Sequence, residues 1–170
     1  MDDIAEAPYL ICFVGKSNSG KTTIITKVIA ELKRRGLRVA AIKHSHHAGE
    51  FDKPGKDSWR MAEAGADAVG YLSPEKTFVL INTERETPVD QLIRLFIDFD
   101  IVVMEGFKTG SAPRIEVVRK ANGTELVCPV NELLAIVSDR PFDHTVRQFE
   151  MENTDELSSF IIEQMKIHSS

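Results

Sequence analysis

The sequence predicts an α/β fold, with helices on both faces of a largely parallel sheet. Three observations lead there. Strand-like apolar runs alternate along the chain with segments of helical periodicity. The runs "YLICFV", "DIVVM" and "LLAIVS" are short and unbroken, as strands buried on both faces read. A glycine-rich turn follows the first run and opens directly into a helical pattern.

The elements follow in order. "YLICFV", residues 9–14, is a strand ended by Gly15. After Lys21, the apolar residues Ile25, Val28, Ile29 and Leu32 recur at helical spacing, and Gly36 closes that helix. "RVAAIK", residues 38–43, is the second strand, and "HSHHAGEFDKPGKDSW" reads as a long polar loop. "SWRMAEAG" is a short helix closed by Gly65, and "AVGYL" and "TFVLI" are strands joined by "SPEK". Thr87 caps a helix with Pro88 in its first position and Val89, Leu92, Ile93 and Phe96 as its stripe. "DIVVMEGF" is a buried strand with Glu105 at its C-terminal end and Asp100 at the opposite one. "RIEVVRK" and "ELVCPV" are expected to form a hairpin around Asn122-Gly123. Residues 133–139 make a further strand, and Thr154 caps a last helix that buries Leu157, Phe160, Ile161 and Met165. There is no internal repeat or linker, so residues 1–170 are expected to form a single domain.

Composition narrows the class. The chain has 170 residues, 42% of them apolar and 28% charged, with a net charge of -5. This is an ordinary globular balance. Basic clusters are missing, so a general nucleic-acid binder is not expected. No apolar stretch is long enough for a membrane helix, and the acidic start "MDDIAEAP" is unlike a secretion signal. The two cysteines, Cys12 and Cys128, fit neither a disulfide framework nor a zinc site, and a cytoplasmic protein is expected.

The chemistry is concentrated in "GKSNSGKTT", residues 15–23. Gly15, Gly20, Lys21 and Thr22 match G-x-x-x-x-G-K-[ST], the P-loop. Successive backbone N–H groups of such a loop point inward around an anion, and the helix that follows adds its own unpaired amides. Lys16, Ser17, Asn18, Ser19 and Thr23 complete the expected phosphate site. Lys21 is expected to reach the terminal phosphates of a nucleoside triphosphate, and Thr22 to hold Mg²⁺ together with Glu105. A three-layer P-loop NTPase fold with a hairpin extension is therefore the expected architecture. Lys16 is read either as a solvated or phosphate-screening lysine or as one that reaches across a dimer.

Further pieces are more selective. "IKHSHH", "DKPGKDSWR", "EAGA", "VVMEGFK" and "AIVSD" follow in that order. With the P-loop, they resemble the MobB family of molybdopterin-guanine dinucleotide biosynthesis proteins. The resemblance runs from Gly15 to about Asp139. It implies a homodimeric GTP-binding protein with little GTPase activity alone. Its partner would be the MobA guanylyltransferase, which joins GMP to molybdopterin. It also implies that Lys43, His44, His46, His47, Lys56, Asp57 and Ser58 stand near the γ-phosphate or a pterin-handling face. Residues 43–58 start at the C-terminal end of the second strand and hold little apolar material, so they read as a switch that responds to the γ-phosphate or, alternatively, as a solvated loop.

Asp139 ends a strand at the edge where α/β folds bind ligands. Its carboxylate is able to accept from guanine N1 and N2; the alternative is a strand-end acid or cap. Two rival functions remain open. The histidine cluster suits a nickel-delivery GTPase. The "SGKTT" stretch also suits a small-molecule kinase, although Arg114, Arg119, Arg140 and Arg147 are scattered rather than gathered in a lid.

Overall fold

The computed structural model describes residues 7–45, 53–123 and 125–168. In chain order they form β1 (Tyr9–Val14), α1 (Lys21–Arg34), β2 (Val39–Lys43), α2 (Asp57–Glu63), β3 (Ala68–Leu72), β4 (Thr77–Ile81), α3 (Val89–Ile93), β5 (Ile101–Glu105), β6 (Arg114–Val118), β7 (Leu133–Ser138), β8 (Arg147–Glu150) and α4 (Thr154–His168). Turns of 3-10 helix occur at Arg94–Phe96, Lys120–Asn122 and Val130–Glu132. The chain divides into two compact units, residues 1–44 with 93–170, and residues 45–92.

The first unit is built on a six-stranded sheet in the order β2-β5-β1-β6-β7-β8. Its neighbouring strands all run parallel. Alternation along the strands sends Ile11, Phe13, Val103, Ile115, Val117, Ala135 and Val137 to one face. There they pack against Ile24, Val28 and Leu32 of α1 and Leu157 and Ile161 of α4. Residues of the other parity, including Cys12, Val102, Met104 and Ile136, are buried as well. This double burial is why the strands read as unbroken apolar runs. On that second face Glu116 accepts hydrogen bonds from the backbone N–H of Val127 (2.7 Å) and of Cys128 (3.1 Å). The chain around Cys128 therefore lies over the sheet, just ahead of the turn Val130–Glu132.

Two local expectations are corrected. There is no hairpin at Asn122-Gly123: β6 already has β1 and β7 as parallel neighbours, and Lys120–Asn122 is a 3-10 turn. The last helix is capped by Asn153 rather than Thr154. Asn153 Oδ1 accepts from the Glu156 N–H (3.4 Å), and its carbonyl accepts from the Leu157 N–H (3.2 Å). Strand β8 was not legible, because "RQFE" buries only Phe149 and shows no apolar run.

The second unit holds α2 packed against β3. Strands β3 and β4 form an antiparallel hairpin with Val69 opposite Leu80 and Tyr71 opposite Phe78. Ser73 and Lys76 close its turn. One face of this two-stranded sheet carries Leu72, Val79 and Ile81, which are 80%, 60% and 62% exposed.

Candidate functional site

The loop after β1 is shaped by close approach and left-handed backbone. Gly15 has φ 142°, and a Cβ there would lie 2.3 Å from the Val117 carbonyl oxygen, so the position admits no side chain without displacing β6. Asn18 at φ 60° and Gly20 at φ 93° turn the chain around before α1 begins. Ser17 and Asn18 are exposed at the apex, whereas Ser19 is buried and its hydroxyl has no hydrogen-bond partner among the described residues. No side chain caps α1, and its first turn holds no acid. The helix N-terminus thus presents amides to the loop with no acid of its own.

Lys21 folds back over this loop. Its ammonium donates to the carbonyls of Gly15 (3.2 Å) and Lys16 (2.8 Å). Burial lowers its pKa; Glu105 opposes that shift, and Lys108 and Lys43 reinforce it. An anion placed here would have three nearby cations to offset. Next in the helix, the Thr22 hydroxyl donates to Glu105 Oε2 (3.0 Å). Glu105 ends β5 in register with Phe13 on one side and Lys43 on the other. Thr23 is exposed and begins the solvent side of α1.

A strained corner fixes the acid. The Gly106 N–H donates to the Phe13 carbonyl (3.0 Å), and the His44 N–H donates to the Glu105 carbonyl (2.9 Å). Gly106 has φ 99°, and a Cβ on it would lie 3.2 Å from His44 Cβ. Phe107, at φ 52°, stacks on the His44 ring with centroids 4.9 Å apart. A bulky residue in left-handed backbone needs such packing to hold it.

On the other side of the loop lies a cavity of about 690 Å³, lined in part by Arg119, Asp139, Arg140, Gln148, Met151 and Glu152. Asp139 Oδ1 accepts from the Lys120 N–H (2.8 Å). A Cβ on Gly20 would lie 3.2 Å from Met151 Cε and 3.5 Å from an Arg119 nitrogen. The last glycine of the loop therefore borders two residues of the cavity wall.

The structure thus brings together residues 15–23, Lys43, His44 and Glu105, with Asp139 across the Lys120 turn. Sequence reasoning set Arg119 aside as one of four scattered arginines and missed Met151; they reach Gly20 from the end of β6 and from the turn after β8 and carry no motif. Lys56, Asp57 and Ser58 belong to the second unit, where Lys56 precedes α2 and Asp57 is the acid of its first turn. His46 and His47 lie outside the described residues. Asp100 stands at the far end of β5, as expected, and Oδ2 accepts from the Arg38 N–H (2.6 Å).

A family model for molybdopterin guanine dinucleotide synthesis protein B, MobB, matches residues 10–139. The chain belongs to the MobB family. The match spans the phosphate loop, Glu105 and Asp139. Among MobB relatives, the molybdopterin-guanine dinucleotide biosynthesis adapter protein of Haemophilus influenzae is 35% identical over 158 residues, covering 89% of this chain and 86% of that protein. The adapter protein of Escherichia coli is 33% identical over 164 residues, covering 92% and 93%. The crystal structure of Bacillus subtilis MobB has a TM-score of 0.73 at 25% identity, covering 92% of this chain and 97% of that one.

Proposed function

We propose that this MobB-family chain is a GTP-binding adapter in molybdopterin guanine dinucleotide biosynthesis. In this reading it assists a MobA-like guanylyltransferase and hydrolyses GTP only slowly itself. The observation that carries the proposal is the loop of residues 15–20. Its backbone is held against Val117 with no room for a side chain at Gly15, and it encloses the unpartnered Ser19 hydroxyl. Both features support a cradle for an anion over an ordinary strand-to-helix turn.

Lys21 would leave its two carbonyls for the β- and γ-phosphates, while Ser17, Asn18, Thr22 and Thr23 line the curve. Thr22 and Glu105 already share a hydrogen bond and would hold Mg²⁺, which screens the phosphate charge when bound. The cavity beside Met151 suits the base. Asp139 keeps one carboxylate oxygen for guanine N1 and N2 while the other anchors Lys120. Lys43 and His44 stand at the metal-side acid and begin the switch segment that runs through His46 and His47 to Lys56, Asp57 and Ser58. That segment would report the γ-phosphate to the partner or to molybdopterin. The working assembly is a homodimer, each chain acting as one nucleotide-binding domain in the cytoplasm.

Replacing Lys21 tests the reading. Lys21→Ala removes a charge-assisted contact, so affinity for a fluorescent GTP analogue should fall roughly tenfold or more. Circular dichroism should be unchanged. Equal affinity in the two proteins refutes the phosphate site.

A further inference from the structure

The 3-10 turn Lys120–Asn122 leans on the phosphate loop from outside. Asn122 Nδ2 donates to the Ser17 carbonyl (3.2 Å), the exposed apex of the loop. The turn is itself pinned. Lys120 N–H donates to Asp139, Asn122 N–H to the Arg119 carbonyl (2.8 Å), and Gly123 N–H to the Lys120 carbonyl (3.2 Å). Gly123 then ends the turn at φ 94°. Lys16 Nζ lies close beside this glycine, 3.1 Å from where a Cβ would stand. Beyond it, Glu125 pairs with Lys16 at 3.6 Å.

We propose that this turn is the positioning element of the phosphate loop: Asn122 fixes its apex, and Glu125 holds Lys16 back from bound phosphate. The inference deepens the GTP-binding reading and rests on it for the ligand, though not for the bracket. A carbonyl tied outward at Ser17 orients the following peptide, so that its N–H points the other way, into the loop. Asn122 therefore acts on phosphate affinity through Ser17 without touching the ligand. The Asp139–Lys120 bond links the cavity wall to the same turn.

Two measurements test this. Hydrogen exchange in the ligand-free protein reads the bracket itself. Asn122→Ala should speed exchange of the amides of residues 15–20 by up to about fivefold, the scale of one neutral hydrogen bond. Binding titrations read its consequence: GTP and GDP should both weaken by about fivefold while guanosine binding is kept. Unchanged exchange at 15–20 overturns the bracket, as does a guanosine loss equal to that of GTP. Faster exchange in a protein whose wild type binds no GTP leaves the bracket standing and removes the nucleotide reading instead. Should Asn122→Ala loosen the whole unit, the uncharged and similarly sized Asn122→Leu removes the donor and is held to the same outcomes. For Lys16, Glu125→Gln should tighten GTP binding about threefold at low salt and lose that gain at high salt. The gain should vanish in a Lys16→Ala background; a gain that survives there overturns the role given to Glu125.

Discussion

Glu116 is 1% exposed on the second face of the sheet, and burial raises its pKa above the ordinary 4.5. The amides of Val127 and Cys128 and the charges of Lys108 and Lys16 oppose that shift without cancelling it. The folded protein therefore holds the Glu116 proton more tightly than the unfolded chain does. Its contribution to stability is fully present below pH 4.5 and is lost as pH rises through the raised value. Urea midpoints across that window should fall less steeply for Glu116→Gln than for the wild type; parallel slopes would assign the dependence to another group. Neither this carboxyl nor the Ser17–Asn122 contact was legible in the sequence. The Ser17–Asn122 contact joins residues 105 positions apart. Glu116 takes its partners from an irregular stretch 11 and 12 residues on, and the local pattern around it reads only as strand. Residues 15–23 were legible because covalent neighbours create the motif, and Glu105 because it ends an apolar run.

Elements were legible where burial is two-sided. Strands β1, β5 and β7 bury nearly every side chain and so announced themselves. The Asn122-Gly123 pair was misread because it specifies a left-handed backbone, which here serves a 3-10 turn against Lys16 rather than a hairpin. The join between α1 and α4 was equally hidden. Arg35 donates to Glu31 (2.6 Å), to the Ser159 hydroxyl (2.9 Å), and to the Asp155 carbonyl (3.0 Å) and carboxylate (2.8 Å). Its guanidinium fork spans two helices at once. Asp155 is largely exposed, so water screens its charge pairing with Arg35. Arg35→Ala should cost roughly 1–2 kcal/mol in urea unfolding. Arg35→Lys should recover only part, since an ammonium lacks the planar fork. A loss below the error of the measurement would show that the helix contact is carried by its apolar residues alone.

At the scale of the molecule, the exposed face of Leu72, Val79 and Ile81 bears on assembly. If the proposed homodimer covers it, Leu72→Lys with Ile81→Lys should shift sedimentation towards monomer without altering the circular dichroism of the sheet. An unchanged sedimentation profile would show that this face carries no dimer contact. The strand order has a consequence of its own during synthesis. Tyr9 registers with Ile101 and Val39 registers with Ile101 as well. Until β5 leaves the ribosome, then, β1 and β2 have been made but neither has a neighbour. The helix α2 and hairpin β3–β4, emerging in between, close on nearby residues and need not wait. The nascent chain therefore carries "YLICFV" as an unpaired apolar strand through most of its translation, a natural hold for a chaperone. A ribosome stalled before residue 101 would release an aggregation-prone fragment rather than half a fold.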